Sequence, residues 1–376
     1  MNTKQVVILG GGYAGVNAVL RLRVRNKKVR VTLVNERRDF IERIRNHQRA
    51  AGHNLKTHDL VRVLGDDITF VEGSAEKIDT QAKQVLVKTA AGLTALEYDF
   101  LVYALGSGAG HAGTGALRIN TAADAAKVKE TLLAEPRRSV LIVGAGLTGI
   151  ELATELRDAW PDRRITLCDR KMLGHGFSEK AKQYLRETFA AMRIDFHTGD
   201  APATQAIRID CTGFTFPDLA RRSNLPVDAK NRVLVDDTLR VPGIRNIFAC
   251  GDAAAFGFGT NAIDFAGCQT GMPMGTYTGD ALGAVLQGTE PEAFRFGFPG
   301  RCVSLGRKRG LVQFVDKHTG APVEKILKGR LGAVVKELIC KMTTAAPRWE
   351  RKTGWPIYTW LKTRHVKRAG LTAKAT

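Results

Sequence analysis

The sequence holds no two cysteines spaced to work as a pair. Cys168, Cys211, Cys250, Cys268, Cys302 and Cys340 form no C-x-x-C or comparable motif, which argues against metal ligation, a disulfide framework or a neighbouring redox thiol pair. They read as small core residues in a reducing compartment. Also absent is any run of 18 apolar residues, so no helix is expected to span a bilayer. A leader pattern is missing too, because Met1-Asn2-Thr3-Lys4-Gln5 runs straight into an apolar strand. The expectation is a cytoplasmic protein.

Acidic residues are scarce. Lys and Arg number 57 against 37 Asp and Glu, a net charge of +20. Residues 301–376 hold 18 basic and 4 acidic side chains, so +14 of the +20 lies in the last fifth. Such asymmetry implies an anionic partner: a membrane surface, nucleic acid or an acidic protein. No nucleic-acid motif accompanies the charge, which disfavours the second. The 376 residues, 44% hydrophobic and 25% charged, otherwise suit a globular protein of two or three domains.

What the chain does contain begins with Val6-Val7-Ile8-Leu9, a buried parallel strand by its unbroken apolar run. Gly10-Gly11-Gly12-Tyr13-Ala14-Gly15 follows and fits G-x-G-x-x-G. One glycine serves a tight turn, one admits a pyrophosphate, and one lets helix and strand pack closely. The helix that follows would offer its N-terminal N–H groups to the phosphates. A second strand from Val29 ends at Asn35-Glu36, putting the Glu36 carboxylate 26 residues after Gly10, at the place of a ribose hydroxyl. The arginine-rich stretch 37–48 is either a solvated helix face or a set of charges approaching a cofactor. Strands at 68–72 and 84–88 suggest a small antiparallel meander, and the glycine-rich residues 107–115 a linker.

Past residue 116 the pattern repeats. Ser139-Val140-Leu141-Ile142-Val143 leads into Gly144-Ala145-Gly146-Leu147-Thr148-Gly149, then a helix, then a strand ending at Asp169, 25 residues after Gly144. Residues 207–213, ending Cys211-Thr212-Gly213, repeat the design of 98–106, which ends Ala104-Leu105-Gly106. A third segment, Ile247-Phe248-Ala249-Cys250-Gly251-Asp252, runs a strand into Gly-Asp.

These five motifs, in this order over roughly residues 5–290, resemble the two-dinucleotide-binding-domain flavoproteins, nearest to type II NADH:quinone dehydrogenases and apoptosis-inducing-factor-like reductases. The resemblance implies an α/β fold of two Rossmann-type domains, the second inserted into the first, with a small α+β C-terminal module. It divides the chain into an FAD domain (1–110 and 240–290), an NAD(P)H domain (116–239) and a basic module (291–376). FAD would be held by Gly10, Gly12, Tyr13, Ala14, Gly15, Glu36, Arg43, Ala104, Gly106, Gly251 and Asp252. NAD(P)H would be held by Gly144, Gly146, Leu147, Thr148, Gly149, Asp169 and Gly213. Asp169 repels a 2′-phosphate and favours NADH, although Arg170 and Lys171 beside it can accept one.

Hydride transfer from nicotinamide to flavin needs stacked rings and excluded water rather than a protein acid or base. Positive charge near flavin N1 helps, and Arg45 is the expected source, with Arg43 its rival. His47 is a candidate proton relay, and Glu151 is expected to border the nicotinamide pocket. Two departures from the resemblance stand out. Few residues separate Gly199 from Ile207, where the family has hairpins. The stretch after Gly-Asp carries Gln269 alone where quinone dehydrogenases have an Ala-Gln motif with a glutamine pair. The resemblance implies a quinone-like acceptor, and the missing redox cysteine pair means that electrons leave the flavin directly. A soluble reductase of an iron–sulfur protein or small organic acceptor, and a low-turnover flavin- and NADH-binding interaction protein, stay open beside it.

At the C-terminal end, apolar residues recur in steps of three and four from Val323 to Met342, with Lys325, Lys328, Arg330, Lys336 and Lys341 off the stripe. Trp349, Trp355 and Trp360 follow. A basic amphipathic helix with interfacial aromatics suits an anchor on an anionic membrane surface over residues 323–365. Core packing on the flavoprotein body is the other use of such a stripe; a homodimer is a separate expectation.

Overall fold

The computed structural model describes residues 3–109, 115–202, 205–256 and 267–363. The apolar strand Gln5–Leu9 lies inside a six-stranded sheet, flanked by Arg30–Asn35 and Phe100–Tyr103. The sheet continues through Thr69–Glu72 on one side and Ile244–Ala249, then Arg240–Val241, on the other. Every pairing is parallel except the last. Val6 through Leu9 are fully buried, which is why that strand is apolar at every position rather than at alternate ones. A second, four-stranded parallel sheet takes all its strands from between these: Asp195–Thr198, Ile165–Asp169, Val140–Val143 and Ile207–Asp210. The second dinucleotide fold is thus inserted into the first.

The strand near residue 70 is not part of a meander. Thr69–Glu72 pairs in parallel with Arg30–Asn35, and the antiparallel meander is Ser74–Asp79, Gln84–Thr89 and Gly92–Glu97. In the glycine-rich stretch 107–115, Gly108–Ala109 pairs with Phe214–Thr215, bridging the two domains; residues 110–114 lie outside the described residues.

The helix Cys268–Leu286 packs along Tyr13–Arg25 through glycines one turn apart. A Cβ on Gly275 would sit 2.1 Å from the Ala14 carbonyl oxygen, and one on Gly279 2.8 Å from that of Ala18. Only hydrogen at those positions lets the two backbones approach this closely.

The C-terminal module is an antiparallel sheet, Arg301–Ser304, Gly310–Val315 and Pro322–Lys328, followed by the helix Gly329–Thr353. The expected stripe from Val323 to Met342 is therefore not one helix. Val323, Ile326 and Leu327 lie on the strand, and the chain turns at Gly329, whose φ of +71° belongs to the left-handed region.

The helix itself is inside out. Its buried face is Gly332, Cys340, Thr343, Ala346, Pro347 and Glu350. Leu331, Val334, Leu338, Met342 and Trp349 point outward, each between 47% and 66% exposed. Trp355 is exposed as well, whereas Trp360 packs on Phe294 and donates its indole N–H to the Arg295 carbonyl at 2.7 Å, so its place is structural. Among the described residues no helix is long and apolar enough to cross a membrane.

Candidate functional site: two glycine turns and a buried ion pair

The two glycine turns are built alike. Gly10 has φ +104° and donates its N–H to the Val34 carbonyl at 2.8 Å; Gly144 has φ +102° and donates to Cys168 at 2.7 Å. A Cβ on Gly15 would lie 1.8 Å from the Gly10 oxygen, and one on Gly149 1.9 Å from the Gly144 oxygen. Those glycines seat each helix on its own turn. By contrast, a Cβ on Gly12, Gly106, Gly146 or Gly213 would meet nothing within 4 Å. These four face open space, in the two clefts where a pyrophosphate and its ribose chain fit. Leu147 and Thr148 begin the second helix exposed, while Tyr13 stacks edge-on against Phe40 with ring centroids 5.2 Å apart and Ala14 is buried beneath Gly251.

The register between the copies differs from the residue count. Gly11 N–H donates to Asn35 Oδ1 at 2.8 Å, and Ala145 N–H donates to Asp169 Oδ2 at 2.6 Å. Asn35, not Glu36, is the structural counterpart of Asp169; the counterpart of Glu36 is Arg170. Glu36 is exposed and accepts a bond from Ser74 Oγ at 3.3 Å. Asn35 was visible in the sequence at the same 25-residue offset from Gly10 that Asp169 has from Gly144. Asp169 also accepts the Lys171 N–H, and exposed Arg170 pairs with exposed Asp200 at 2.8 Å.

Around the first cleft, Asp252 is held on both oxygens, by Ser107 Oγ and by the Gly267 N–H, each at 2.8 Å. Arg43 donates to the Ser107 carbonyl at 2.6 Å and so joins this knot. Arg45 does not. Its buried guanidinium is neutralised by Glu42 and Glu337, both at 2.9 Å, so it ties the 43–45 turn to the C-terminal helix. Paired on both sides, Arg45 is not the free positive charge that the sequence suggests, whereas its rival Arg43 lies beside the partner of Asp252.

Between the domains lies a buried ion pair. Glu151, on the helix Leu147–Ala159, meets Lys336 Nζ at 3.0 Å, accepts the Ser304 N–H at 3.0 Å and stands 3.5 Å from His47 Nδ1. Burial works against the carboxylate, but Lys336, then His47 and the Ser304 amide, hold its pKa below the ordinary value. Burial likewise opposes the Lys336 ammonium, and Glu151 more than restores it. His47 is neutral at physiological pH: burial and nearby cations lower it to about 4 despite Glu151. Its Nε2, and Gln269 Nε2 on the first turn of the Cys268–Leu286 helix, are buried without a partner among the described residues. One turn along from Glu151, fully buried Glu155 accepts a hydrogen bond from Arg307 Nη2 at 3.0 Å and has His53 Nε2 2.8 Å from its other oxygen.

Two features of this site were not read from the sequence. The apolar stripe places Lys336 among the solvent-facing cations, yet its spacing, one turn from both Gly332 and Cys340, matches the buried face. Three cysteines far apart in the chain, Cys268, Cys302 and Cys340, surround Lys336. Burial raises all three thiols, Cys268 to about 12 and Cys340 to about 11, so they stay protonated and weakly nucleophilic at neutral pH. Among the described residues no cluster fits a metal ion.

Two glycine-turn clefts together with a buried polar junction suit a flavin- and nicotinamide-dependent oxidoreductase. The chain belongs to the pyridine nucleotide-disulphide oxidoreductase family, whose model matches residues 4–272. It is 28% identical over 323 residues to an NADH dehydrogenase-like protein of Mycobacterium tuberculosis, covering 73% of this chain and 79% of that one. It is 25% identical over 399 residues to a type II NADH:quinone oxidoreductase of Staphylococcus aureus, covering 89% and 94%. In fold it is similar to the sulfide:quinone oxidoreductase of Aquifex aeolicus, with a TM-score of 0.76, 21% identity and coverage of 94% and 92%. The protein is an FAD-dependent NAD(P)H oxidoreductase. FAD accepts hydride from the nicotinamide and passes electrons on singly or in pairs. The residues lining both clefts fit these cofactors.

Proposed function

We propose that this enzyme transfers two electrons from NADH, through FAD, to a quinone-like acceptor drawn from an anionic membrane surface. The supporting observation is the inverted helix Gly329–Thr353. Leaving Leu331, Val334, Leu338, Met342 and Trp349 in water forfeits on the order of 1.5–3 kcal/mol for each large side chain that burial would recover. A lipid surface recovers it, and exposed Arg330, Lys341 and Lys352 would each add roughly 1 kcal/mol near anionic headgroups. Lys336 projects from the opposite face of the same helix to Glu151, so the surface that touches lipid is one helix diameter from the polar junction.

In this reading Gly10, Gly12, Gly15, Asn35 and Asp252 hold FAD, and Gly144, Gly146, Gly149 and Asp169 hold NADH. Reducing a quinone to a quinol takes two electrons and two protons; the hydride supplies one proton with the pair, and solvent supplies the other. Lys336 and Glu151 fix the charge at the junction, and the Gln269 amide supplies an unpaired donor for an acceptor oxygen; neutral His47, its Nδ1 turned to Glu151, leaves Nε2 as an acceptor. A homodimer would cover the same apolar face, and an acidic redox protein would suit its cations.

Vesicle sedimentation separates these. With Leu331→Glu and Leu338→Glu together, binding to phosphatidylglycerol vesicles and turnover with long-chain quinone should fall at least tenfold. Bleaching of the flavin by NADH and reduction of short-chain quinone should stay near wild type. Unchanged vesicle binding, or a wild-type dimer broken by the pair, would remove the membrane reading.

A further inference from the structure

A buried carboxylate that neither nucleotide cleft uses lies one turn beyond Glu151. Glu155 shares a face of the helix Leu147–Ala159 with it, as residues four apart do. A fully buried glutamate is rare unless paired, and here the pairing is incomplete. Oε2 accepts a hydrogen bond from Arg307 Nη2 at 3.0 Å. Oε1 has Arg307 Nε at 2.7 Å and His53 Nε2 at 2.8 Å, yet no hydrogen bond is aligned on it. An ionised carboxylate lacking donors on one oxygen is costly in a dry site. A neutral carboxyl instead carries its proton on that oxygen, toward the ring nitrogen of His53. The His53 side chain is 40% exposed, so the buried acid meets solvent through it.

On its inner side Glu155 is joined to the polar junction. Arg307, between the strands Arg301–Ser304 and Gly310–Val315, also reaches Ser304 Oγ at 3.4 Å, and the Ser304 N–H donates to Glu151 Oε1 at 3.0 Å. Glu151 in turn meets Lys336 and stands beside His47. Exposed His53, buried Glu155 and Glu151 thus follow one another from solvent to junction.

We infer that Glu155 is the proton-uptake residue of this enzyme, taking a solvent proton by way of His53 and passing it one helical turn along to Glu151; this rests on the quinone reading above. NADH gives up two electrons and one proton as hydride and leaves as NAD⁺, and the second proton of the quinol enters through His53 and Glu155. Arg307 holds Oε2 and keeps its own protons, so the transfer runs from carboxyl to carboxyl. The charged and titratable groups facing Glu155 are Arg307, His53 and, on its own helix, Asp158 and Glu151. Burial raises its pKa most, Arg307 opposes this, and Asp158 and Glu151 add to it, leaving it at about 7. A group so placed both takes and gives protons at neutral pH. Burial raises Glu151 too, but Lys336 and His47 hold it below the ordinary value, so it passes the proton on rather than keeping it.

The test mixes FAD-loaded, NADH-reduced enzyme anaerobically with a short-chain quinone or with ferricyanide and follows flavin reoxidation. Ferricyanide takes electrons and no proton, so only the quinone step calls on Glu155. In wild type the quinone rate should fall as pH rises through about 7 and be slower in heavy water, whereas the ferricyanide rate should stay flat. Glu155→Gln keeps the shape and loses the titrating group. The ratio of quinone to ferricyanide rates should drop at least tenfold, and its pH dependence should flatten. His53→Ala, at a partly exposed position, should lower the ratio several-fold, and added imidazole should restore it. Equal slowing with both acceptors would make Glu155 structural, and an unchanged ratio and pH profile in Glu155→Gln would overturn the route while the quinone reading stands. A wild type reoxidised by ferricyanide and not by quinone would remove that reading, and the proton route with it.

Discussion

The two dinucleotide folds use one backbone solution and different side chains on it. Gly15 matches Gly149, and two residues on, Asn17 matches Glu151; six residues on, Arg21 matches Glu155. In the first copy Arg21 binds Glu350 of the C-terminal helix at 2.5 Å and Asp280 at 2.8 Å. In the second, Glu151 binds Lys336 of that same helix. The helix Gly329–Thr353 therefore clamps both copies through buried ion pairs of opposite sense, carboxylate to arginine and ammonium to carboxylate. Nucleotide cleft geometry is carried by glycines that the copies share, whereas partner and polarity are carried by positions where they differ.

The largest effects should come from the shared glycines. Gly149→Ala pushes a methyl into the Gly144 backbone, which cannot yield as a flexible side chain would. The protein should stay yellow while NADH bleaching falls ~10²-fold or more, about 3 kcal/mol. Gly15→Ala should instead yield protein without FAD. Flavin loss from both variants alike would show that the copies do not act separately.

Breaking the clamp comes next. Lys336→Met leaves Glu151 buried and unpaired, and Glu350→Ala takes from Arg21 one of its two carboxylates. A buried pair broken on one side costs about 3–5 kcal/mol, so both should lower the melting temperature, Glu350→Ala less because Asp280 remains. Only Lys336→Met should also depress steady-state turnover with quinone. Loss of turnover by both in proportion to stability would make the clamp purely structural.

A pH comparison follows. Burial, opposed by Arg307, pushes Glu155 up to about 7 from an ordinary 4.5. The folded state then binds more protons than the unfolded state between those values. Glu155 therefore favours stability below about pH 4.5, and that contribution is lost as pH rises through 7, up to about 3 kcal/mol. Thermal melts of wild type and Glu155→Gln from pH 5 to 8 should diverge, the variant gaining on wild type as pH rises. Parallel curves would mean that Arg307 and His53 keep Glu155 ionised throughout.

The smallest effects belong to the offset register. Asn35→Ala loses the Gly11 bond and should weaken FAD retention by roughly 1 kcal/mol, more than Glu36→Ala. Arg170→Ala should lower kcat/KM for NADPH several-fold and leave that for NADH within twofold. The reverse order in either pair would restore Glu36 as the ribose partner or make NADPH the donor.

The sequence by itself determined the duplicated strand–glycine–helix units, the Gly-Asp segment and the lack of a spanning helix, because those signals are local. An apolar run, a glycine that must adopt positive φ and a helix start lie within about fifteen residues of one another. It also showed an amphipathic pattern near the C-terminus, since periodicity survives whichever face is buried. Tertiary structure alone decided which face that is. Lys336 turns inward because Glu151, 185 residues earlier, offers a buried partner, and Leu331, Leu338 and Met342 are left outside. Hydropathy read along one segment cannot anticipate a long-range charge pair. The same holds for Arg45, claimed by Glu337, for the three thiols gathered from separate elements, and for the one-residue shift that puts Asn35 opposite Gly11. Each is set by contacts between segments distant in the chain, where the energy of pairing and desolvation outweighs local preference.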